Sequence, residues 1–214
     1  MPSLDVLIAF FGISALLALT PGPDNLFVLL QSAQHGWRTG LCVVLGLCLG
    51  LVVHTSAVAL GLAALLAASS LAFTLLKLVG AAYLAYLAWQ ALRAPAAVAS
   101  AGPAAAPSGR PAAGALRMVG RGVLMNLSNP KVLIFFLAFL PQFADPARAS
   151  VAPQILLLGL VFMLATLLVF GVIALFSGHF GALLQRSARA QQWLQRTAGL
   201  VFLGLALRLA TSAR

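Results

Sequence analysis

Residues 20–25 read Thr-Pro-Gly-Pro-Asp-Asn and interrupt a long apolar stretch, and residues 126–131 read Asn-Leu-Ser-Asn-Pro-Lys and interrupt a second one. Proline has no N–H and clashes with the preceding turn, so each motif is expected to break a helix. In hydrocarbon, the freed backbone groups are tolerated only where they line a cavity or hold a ligand. Broken helices in corresponding halves of a membrane protein indicate a binding site. The two motifs therefore predict a ligand site deep inside the protein.

The composition indicates that this site lies in a lipid bilayer. Hydrophobic residues make up 62% of the chain, charged residues 7%, and the mean hydropathy is +1.06. Soluble domains carry about 25% charged residues. The net charge of +10 comes from basic residues that are mostly scattered singly through short loops, which is typical of topology determinants. We therefore expect the bilayer, and not a nucleic acid, as the partner of the basic residues.

Six apolar segments approach or exceed the roughly 20 residues that a helix needs to cross a membrane. They lie near residues 4–31, 41–66, 71–92, 118–140, 151–181 and 194–210. The first segment resembles a signal peptide in length, but it has no basic start and runs directly into Pro21, so we expect it to be retained. The sequence thus predicts an all-α membrane protein with six transmembrane helices, of which helices 1 and 4 are broken.

The chain divides into two halves around a linker. Residues 93–117 contain prolines among Ala, Gly and Ser and no apolar stripe, a composition that cannot bury enough surface to fold alone. The linker separates three predicted spans in residues 1–92 from three in residues 118–214. Lys77-Leu-Val-Gly80 aligns with Arg196-Thr-Ala-Gly199. Because an odd number of spans inserts the second copy upside down, we expect a 3+3 inverted repeat.

The distribution of Lys and Arg predicts the orientation. Loops on one side hold eight of them, including four between Arg93 and Arg121, whereas the other side and its span edges hold four. The positive-inside rule places the richer side, and with it the 93–117 linker, in the cytoplasm. Both termini are then expected to face outward.

Several motifs resemble one family of proteins. They are the 20–25 stretch, Leu-Lys-Leu-Val-Gly-Ala-Ala-Tyr-Leu at 76–84, Asn-Leu with Asn-Pro-Lys at 126–131, and Phe-Leu-Pro-Gln-Phe at 139–143. Together they resemble the lysine exporter (LysE/RhtB) family of bacterial inner-membrane amino-acid efflux proteins. The resemblance covers nearly the whole chain, and only the long Ala/Pro linker departs from the usual pattern. It implies a multi-pass secondary transporter of the inner (plasma) membrane that exports an amino acid or derivative, driven by exchange with protons.

The two breaks suggest how such a ligand binds. Asp24 after Pro23, and Asn129 before Pro130, can cap the helices that restart there. A helix N-terminus carries unpaired N–H groups and partial positive charge, so it binds a carboxylate readily. The ammonium group of an amino acid needs an anion or carbonyl groups as partners, which Asp24 and the unwound carbonyls near Gly22 and Leu127 could provide. The residues expected to bind the substrate are Pro21, Gly22, Asp24, Asn25, Asn126, Asn129 and Lys131.

Some roles stay open at this level. Asp24 either only caps a half-helix or contacts substrate and carries a proton, and His54 is a second proton-coupling candidate or a simple hydrogen-bonding group. Lys131 either pairs with Asp24 or snorkels toward the interface. Asn25 and Asn129 either bind substrate or satisfy freed backbone groups. Gln31, seven residues after Asp24, lies on nearly the same helix face and is a candidate for lining the path.

Helix contacts are indicated by two GxxxG motifs, Gly36–Gly40 and Gly46–Gly50. Such small residues allow close approach of two helices. We favour contacts inside one bundle, with a homodimer contact as the alternative.

Rival function classes find little support. A membrane-embedded thiol or metal-handling protein of the same superfamily would need paired thiols or a ligand cluster, but Cys42 and Cys48 lie on different faces of one span and no CxxC occurs. A small membrane enzyme would need an acid–base pair or an activated nucleophile, and the apolar spans offer only Asp24 and His54. We therefore expect a non-enzyme without catalytic residues, metal or cofactor.

Overall fold

The computed structural model describes residues 1–20, 22–68, 70–93, 114–177 and 188–211. Pro21, one of the predicted substrate residues, lies outside the described residues, as does residue range 94–113 of the predicted linker. Every regular element in the described ranges is helical. The α-helices are α1 (Leu4–Leu19), α2 (Pro23–His35), α3 (Trp37–Ala68), α4 (Ser70–Arg93), α5 (Ala115–Leu127), α6 (Pro130–Ile134), α7 (Val151–Leu175) and α8 (Ala188–Thr211).

Both predicted helix breaks are present. The axes of α1 and α2 differ by 64°, and α5 is bent by 55° against the segment Pro130–Phe143. That segment begins as α6 and continues as a π-helical turn (Phe135–Phe139) and a 3-10 turn (Leu140–Phe143). In both restarted helices a proline occupies one of the first positions, where its missing N–H removes no hydrogen bond.

The number of spans agrees only in part with the prediction. By length and composition, three described helices can cross a membrane, in α3, α4 and α7, and counting each bent pair as one span raises the number to five. The sixth predicted span, near 194–210, falls within α8, whose first third is rich in Arg and Gln. An all-helical membrane protein is therefore established, whereas the six-helix arrangement stays a prediction.

The closest helix packing joins one predicted half of the chain to the other. The central helix α3 packs against α5 and α7, α7 packs against α1 and α2, and α4 packs against α8. A Cβ atom added to Gly80 would lie 3.3 Å from Leu209, and one added to Gly199 would lie 2.7 Å from Leu92. Gly80 and Gly199 are the residues that align between the two halves; Gly199 packs directly on α4, whereas Gly80 packs most closely on Ala138 of the π-helical turn.

The tightest helix crossing fixes the second break. Glycines 46 and 122 face each other between α3 and α5, and a Cβ on Gly122 would overlap the carbonyl oxygen of Val43. One turn further along, the Asn126 side chain packs on Gly50, where an added Cβ would lie 2.6 Å from Asn126 Oδ1. The Gly46–Gly50 motif therefore makes an intramolecular contact, as we favoured, and it holds the end of α5 against the central helix.

Candidate functional site

The end of the first half-helix is capped by side chains from both breaks. The last carbonyls of a helix have no partner within the helix and carry partial negative charge. Lys131 Nζ donates to the carbonyl oxygens of Leu17 and Thr20, at 3.2 Å each. Asn25 Nδ2 donates to the carbonyl of Ala18 at 2.6 Å. The two motifs, more than 100 residues apart in sequence, therefore meet at one point in the fold.

The position of Lys131 excludes one of the two sequence interpretations and modifies the other. Its side chain is only 9% exposed and points inward, so the snorkelling interpretation is wrong. Within the described ranges its ammonium also makes no ion pair with Asp24 closer than 4.0 Å. The ammonium instead donates hydrogen bonds to carbonyls at the end of α1. Gly22 leaves room for the Lys131 side chain there, since a Cβ on Gly22 would lie 3.2 Å from Lys131 Nζ.

The restarted helices are capped differently from each other. Asn129 Oδ1 accepts a hydrogen bond from the Lys131 backbone N–H at 3.0 Å, so Asn129 caps α6 as predicted. The expected cap by Asp24 is wrong: Gly22 is the N-cap of α2, and Pro23 and Asp24 occupy its first turn. Because Pro23 takes the first helical position, the cap is Gly22, two residues before Asp24. The Asp24 carboxylate is then free for a role other than capping.

Buried polar atoms without partners surround this point. Asp24 is 4% exposed, and its Oδ1 has no hydrogen-bond partner among the described residues, like Asn25 Oδ1, Asn126 Oδ1 and Asn129 Nδ2. Asp24 does lie close enough to Asn129 and Lys131 to interact with both electrostatically. Each buried unpartnered group costs about 1–3 kcal/mol, so a cluster of four requires an explanation. Together they offer three acceptors and one amide donor to a polar ligand.

A small cavity lies beside two of these groups, Asp24 and Asn126, and we call it the central cavity. Its polar lining comes from Asp24, Asn126, Lys131 and Thr166, and its apolar lining from Leu17, Ala18, Val132, Phe162 and Phe170. It holds about 10 Å³ of space for the centre of a water molecule, which is room for about one water. An amino acid does not fit, so the described conformation is closed around the site.

The sequence analysis missed the contribution of α7. Thr166, Phe162 and Phe170 line the central cavity, but α7 is a continuous apolar helix without a break or a charge. Only the four-residue spacing of these side chains places them on one face, and nothing in the sequence says what this face meets.

His54 lies behind the site and does not line the central cavity. It is 6% exposed, and its Nε2 lies 3.4 Å from the carbonyl oxygen of Asn126 in the last turn of α5. A carbonyl can only accept, so Nε2 carries the proton of this bond. His54 therefore makes a hydrogen bond to a neighbouring helix, which was the simpler of the two interpretations.

An aromatic wall closes one side of the central cavity. Phe162 lines the cavity and lies 6.4 Å from Phe10, whose ring lies 5.0 Å from Phe143. Phe135 and Phe139 complete the cluster with ring distances of 4.9–5.4 Å. All of these rings are at most 8% exposed. The wall, defined as these five rings, is dry and offers no hydrogen-bonding group.

Beyond the aromatic wall lies a wide charged vestibule of about 480 Å³. Its charged lining residues are Asp5, Asp145, Arg148 and Arg208, and Phe143 forms its floor toward the wall. Asp145 and Arg148 form an exposed ion pair at 3.3 Å. Gln154 is fully buried and shapes the adjoining loop through bonds to the Asp145 N–H and carbonyl, at 3.0 and 2.8 Å.

In the described part of the chain, few side chains are arranged for thiol or metal chemistry. Cys42 and Cys48 are both half-buried and not joined to each other. No group of three His, Cys, Asp or Glu side chains in the described ranges could hold a metal ion. The site offers hydrogen-bonding and charged groups, which suit a small zwitterion.

Comparisons with known proteins agree with the resemblance in the motifs. A family model described as "LysE type translocator" matches residues 15–213. An uncharacterized membrane protein of Vibrio cholerae is 33% identical over 98% of both chains. A homoserine/homoserine lactone efflux protein of Salmonella typhimurium is 35% identical over 75% of both chains, and a leucine efflux protein of Enterobacter is 29% identical over 91% of this chain and 90% of its own. No solved structure matches the chain.

Proposed function

The chain belongs to the LysE-type translocator family, and from this premise we propose that it exports a free amino acid or a close derivative from the cytoplasm in exchange for protons. Membership of the family, the bacterial membrane proteins among its relatives and the apolar helices make it a multi-pass protein of the bacterial inner membrane. Relatives named as efflux proteins for homoserine and leucine suggest these two amino acids as the first candidates.

One observation carries the proposal: a buried carboxylate with an unpartnered oxygen lies where the two broken helices meet. Asp24 and Lys131 present opposite charges to the central cavity, and Asn126 adds an unpartnered amide oxygen. A zwitterion supplies the complement of both charges. The ammonium group binds Asp24 and Asn126, and the carboxylate binds the Lys131 ammonium and the Asn129 amide nitrogen.

The same carboxylate supports proton exchange. A charge buried in the membrane is strongly unfavourable unless it is compensated. Besides the nearby Lys131 ammonium, Asp24 is compensated either by a proton or by the ammonium of a substrate, and a proton on the carboxylate weakens its binding of that ammonium. If Asp24 binds substrate when the site is open to one side of the membrane and a proton when it is open to the other side, substrate and protons cross the membrane in opposite directions.

The closed central cavity fits alternating access. With space for about one water, it has to open to one side at a time for an amino acid to enter or leave. The packing of α3 on α7 and of α4 on α8, each a pair of corresponding helices, supports a six-helix 3+3 inverted repeat, in which one half rocks against the other around the site. The contact between α4 and α8 would serve as the hinge region of that motion.

The test is transport by the purified full chain in proteoliposomes. We expect L-homoserine or L-leucine loaded inside to be exchanged for external labelled amino acid, and an imposed proton gradient to accelerate net flux. Asp24→Asn should abolish net flux, whereas Asp145→Asn, an exposed carboxylate outside the central cavity, should leave it within about twofold. Proton-gradient-driven transport at the wild-type rate in Asp24→Asn would contradict the proposed role of Asp24.

A further inference from the structure

One face of α2 carries a row of buried polar groups that the central cavity does not use. Within the described residues, Gln31 Oε1, Ser32 Oγ and His35 Nδ1 are buried and have no hydrogen-bond partner. They lie seven, eight and eleven residues after Asp24, so they share its face or border it. At 1.5 Å per residue the row extends about 16 Å from Asp24 to the end of α2.

The cost of this row calls for a compensating function. An unpartnered buried polar group costs about 1–3 kcal/mol, and an apolar side chain of the same shape would avoid that cost. Apolar side chains are accepted on this face of α2, since Val28 on the same face is fully buried. Polar groups at these positions are favourable only in a conformation in which water or a ligand reaches them.

The surface opposite the row is lined by small side chains. A Cβ on Gly40 of α3 would overlap Ser32 Oγ and would lie 3.1 Å from Ala174 of α7. Ala174 follows Thr166 and Phe170 at four-residue intervals, and those two residues line the central cavity. We call the three unpartnered polar atoms of α2, Gln31 Oε1, Ser32 Oγ and His35 Nδ1, together with Gly40 and Ala174 beside Ser32, the polar seam. Along α2 the polar seam begins seven residues after Asp24, which lines the central cavity, and ends at His35.

We propose that the polar seam is the pathway by which a zwitterionic amino acid moves between the central cavity and the protein face at His35, through separation of α2 from α7. This inference rests on the proposed transport function and adds the route and the residues that line it. In the open state, Gln31 Oε1 and Ser32 Oγ accept hydrogen bonds from the passing ammonium group. In the closed state described here, the same atoms are left without partners.

The two other directions are less suited to a polar ligand. The opposite side of the central cavity is closed by the aromatic wall, which has no hydrogen-bonding group. A groove between α2 and α5 also reaches Asn129, but Phe27, Leu124 and Met125 make most of its lining apolar. The His35 end is followed by Gly36 and by Arg38 in the first turn of α3, which the distribution of basic residues places on the cytoplasmic side. The seam thus serves as the cytoplasmic half of the route.

The test separates transport from stability. Gln31→Leu and Ser32→Ala remove unpartnered polar atoms, so we expect the melting temperature of the purified protein to stay equal or rise. Transport should nevertheless slow by about tenfold, the effect of losing one hydrogen bond to a charged group. The matched control is Gln34→Leu, because Gln34 is an exposed residue on the same helix, and it should leave the transport rate within about twofold.

The outcomes distinguish this inference from the proposed function. Absence of amino-acid exchange by the wild-type protein would count against the function itself. Wild-type exchange together with an unchanged rate in Gln31→Leu and Ser32→Ala would overturn the pathway alone. Loss of both stability and transport in these variants would also overturn it, since that result means the polar atoms have structural partners.

A second measurement follows access directly. In a chain with Cys42→Ala and Cys48→Ala, Ser32→Cys supplies one thiol in the seam. We expect a membrane-impermeant thiol reagent to label it from the His35 face only, and saturating L-homoserine or L-leucine to change the labelling rate at least threefold. Labelling from the opposite face, or a rate that neither amino acid changes while exchange remains active, would refute the pathway.

Discussion

Asp24 and Lys131 are opposite charges buried at one site, and we predict that their contributions to stability are strongly coupled. Asp24 is 4% exposed and Lys131 is 9% exposed. Replacing either residue alone leaves the other charge buried without compensation, which is strongly destabilising. We therefore expect Asp24→Asn and Lys131→Met each to lower stability, and the double variant to be more stable than the sum of the single changes implies.

The magnitude follows from the geometry. Two unit charges 4 Å apart interact by about 4 kcal/mol at an effective dielectric constant of about 20. The two charged groups are not within 4.0 Å of each other, so this value is an upper bound. We expect a coupling energy above about 0.5 kcal/mol and up to about 3 kcal/mol, the range for residues in one network. Lys131→Met should be the more costly single change, because it also strips the hydrogen bonds from the carbonyls of Leu17 and Thr20.

The assay is thermal unfolding of the four proteins in one detergent at a fixed scan rate, since membrane proteins commonly unfold irreversibly. The matched control is the cycle of Asp145→Asn and Arg148→Met, an ion pair at 3.3 Å whose side chains are 51% and 56% exposed. That pair should couple by no more than about 1 kcal/mol. Additivity of the Asp24 and Lys131 changes within about 0.5 kcal/mol would refute the reasoning.

Three further changes test the packing around the site. Gly122→Ala should push α5 away from α3, because its Cβ would overlap a backbone carbonyl, and should lower the yield of folded protein; unaltered yield and melting temperature would contradict this contact. Phe10→Ala should cost about 3–5 kcal/mol and open the aromatic wall, seen as substrate leak from proteoliposomes without a proton gradient; a tight variant would argue against the wall as a barrier. Asn129→Ala should remove the cap of α6, cost about 1 kcal/mol and raise the KM for substrate, and a KM equal to wild type would exclude Asn129 from the site.

The positions of the helix breaks were predictable because their cause is local. Proline lacks an N–H wherever it stands, so Pro23 and Pro130 restart helices irrespective of what surrounds them. The cap of Asn129 follows from the same local chemistry, whereas the cap expected of Asp24 lies at Gly22 because Pro23 takes the first helical position of α2. The membrane environment was equally predictable, since composition alone decides whether a chain can be solvated by water.

Side-chain partners across the fold were not predictable. The residues next to Lys131 in sequence are compatible both with a pair with Asp24 and with a side chain that reaches the membrane interface. The hydrogen-bond partners of its ammonium are instead backbone carbonyls at the end of a helix more than 100 residues away. His54 likewise meets the last turn of α5. Such contacts depend on which helix faces are brought together, and helix packing brings together residues that have no relation in sequence.

The sequence alone established the membrane, the helices, their two breaks and the residues from which a site could be built, because these depend on composition and on backbone chemistry within a few residues. Tertiary structure decided that both breaks meet, that α7 lines the central cavity, and that the atoms Gln31 Oε1, Ser32 Oγ and His35 Nδ1 are buried without partners. The physical reason is that burial and the absence of a hydrogen bond are properties of what packs around an atom, which the order of residues along one helix does not contain.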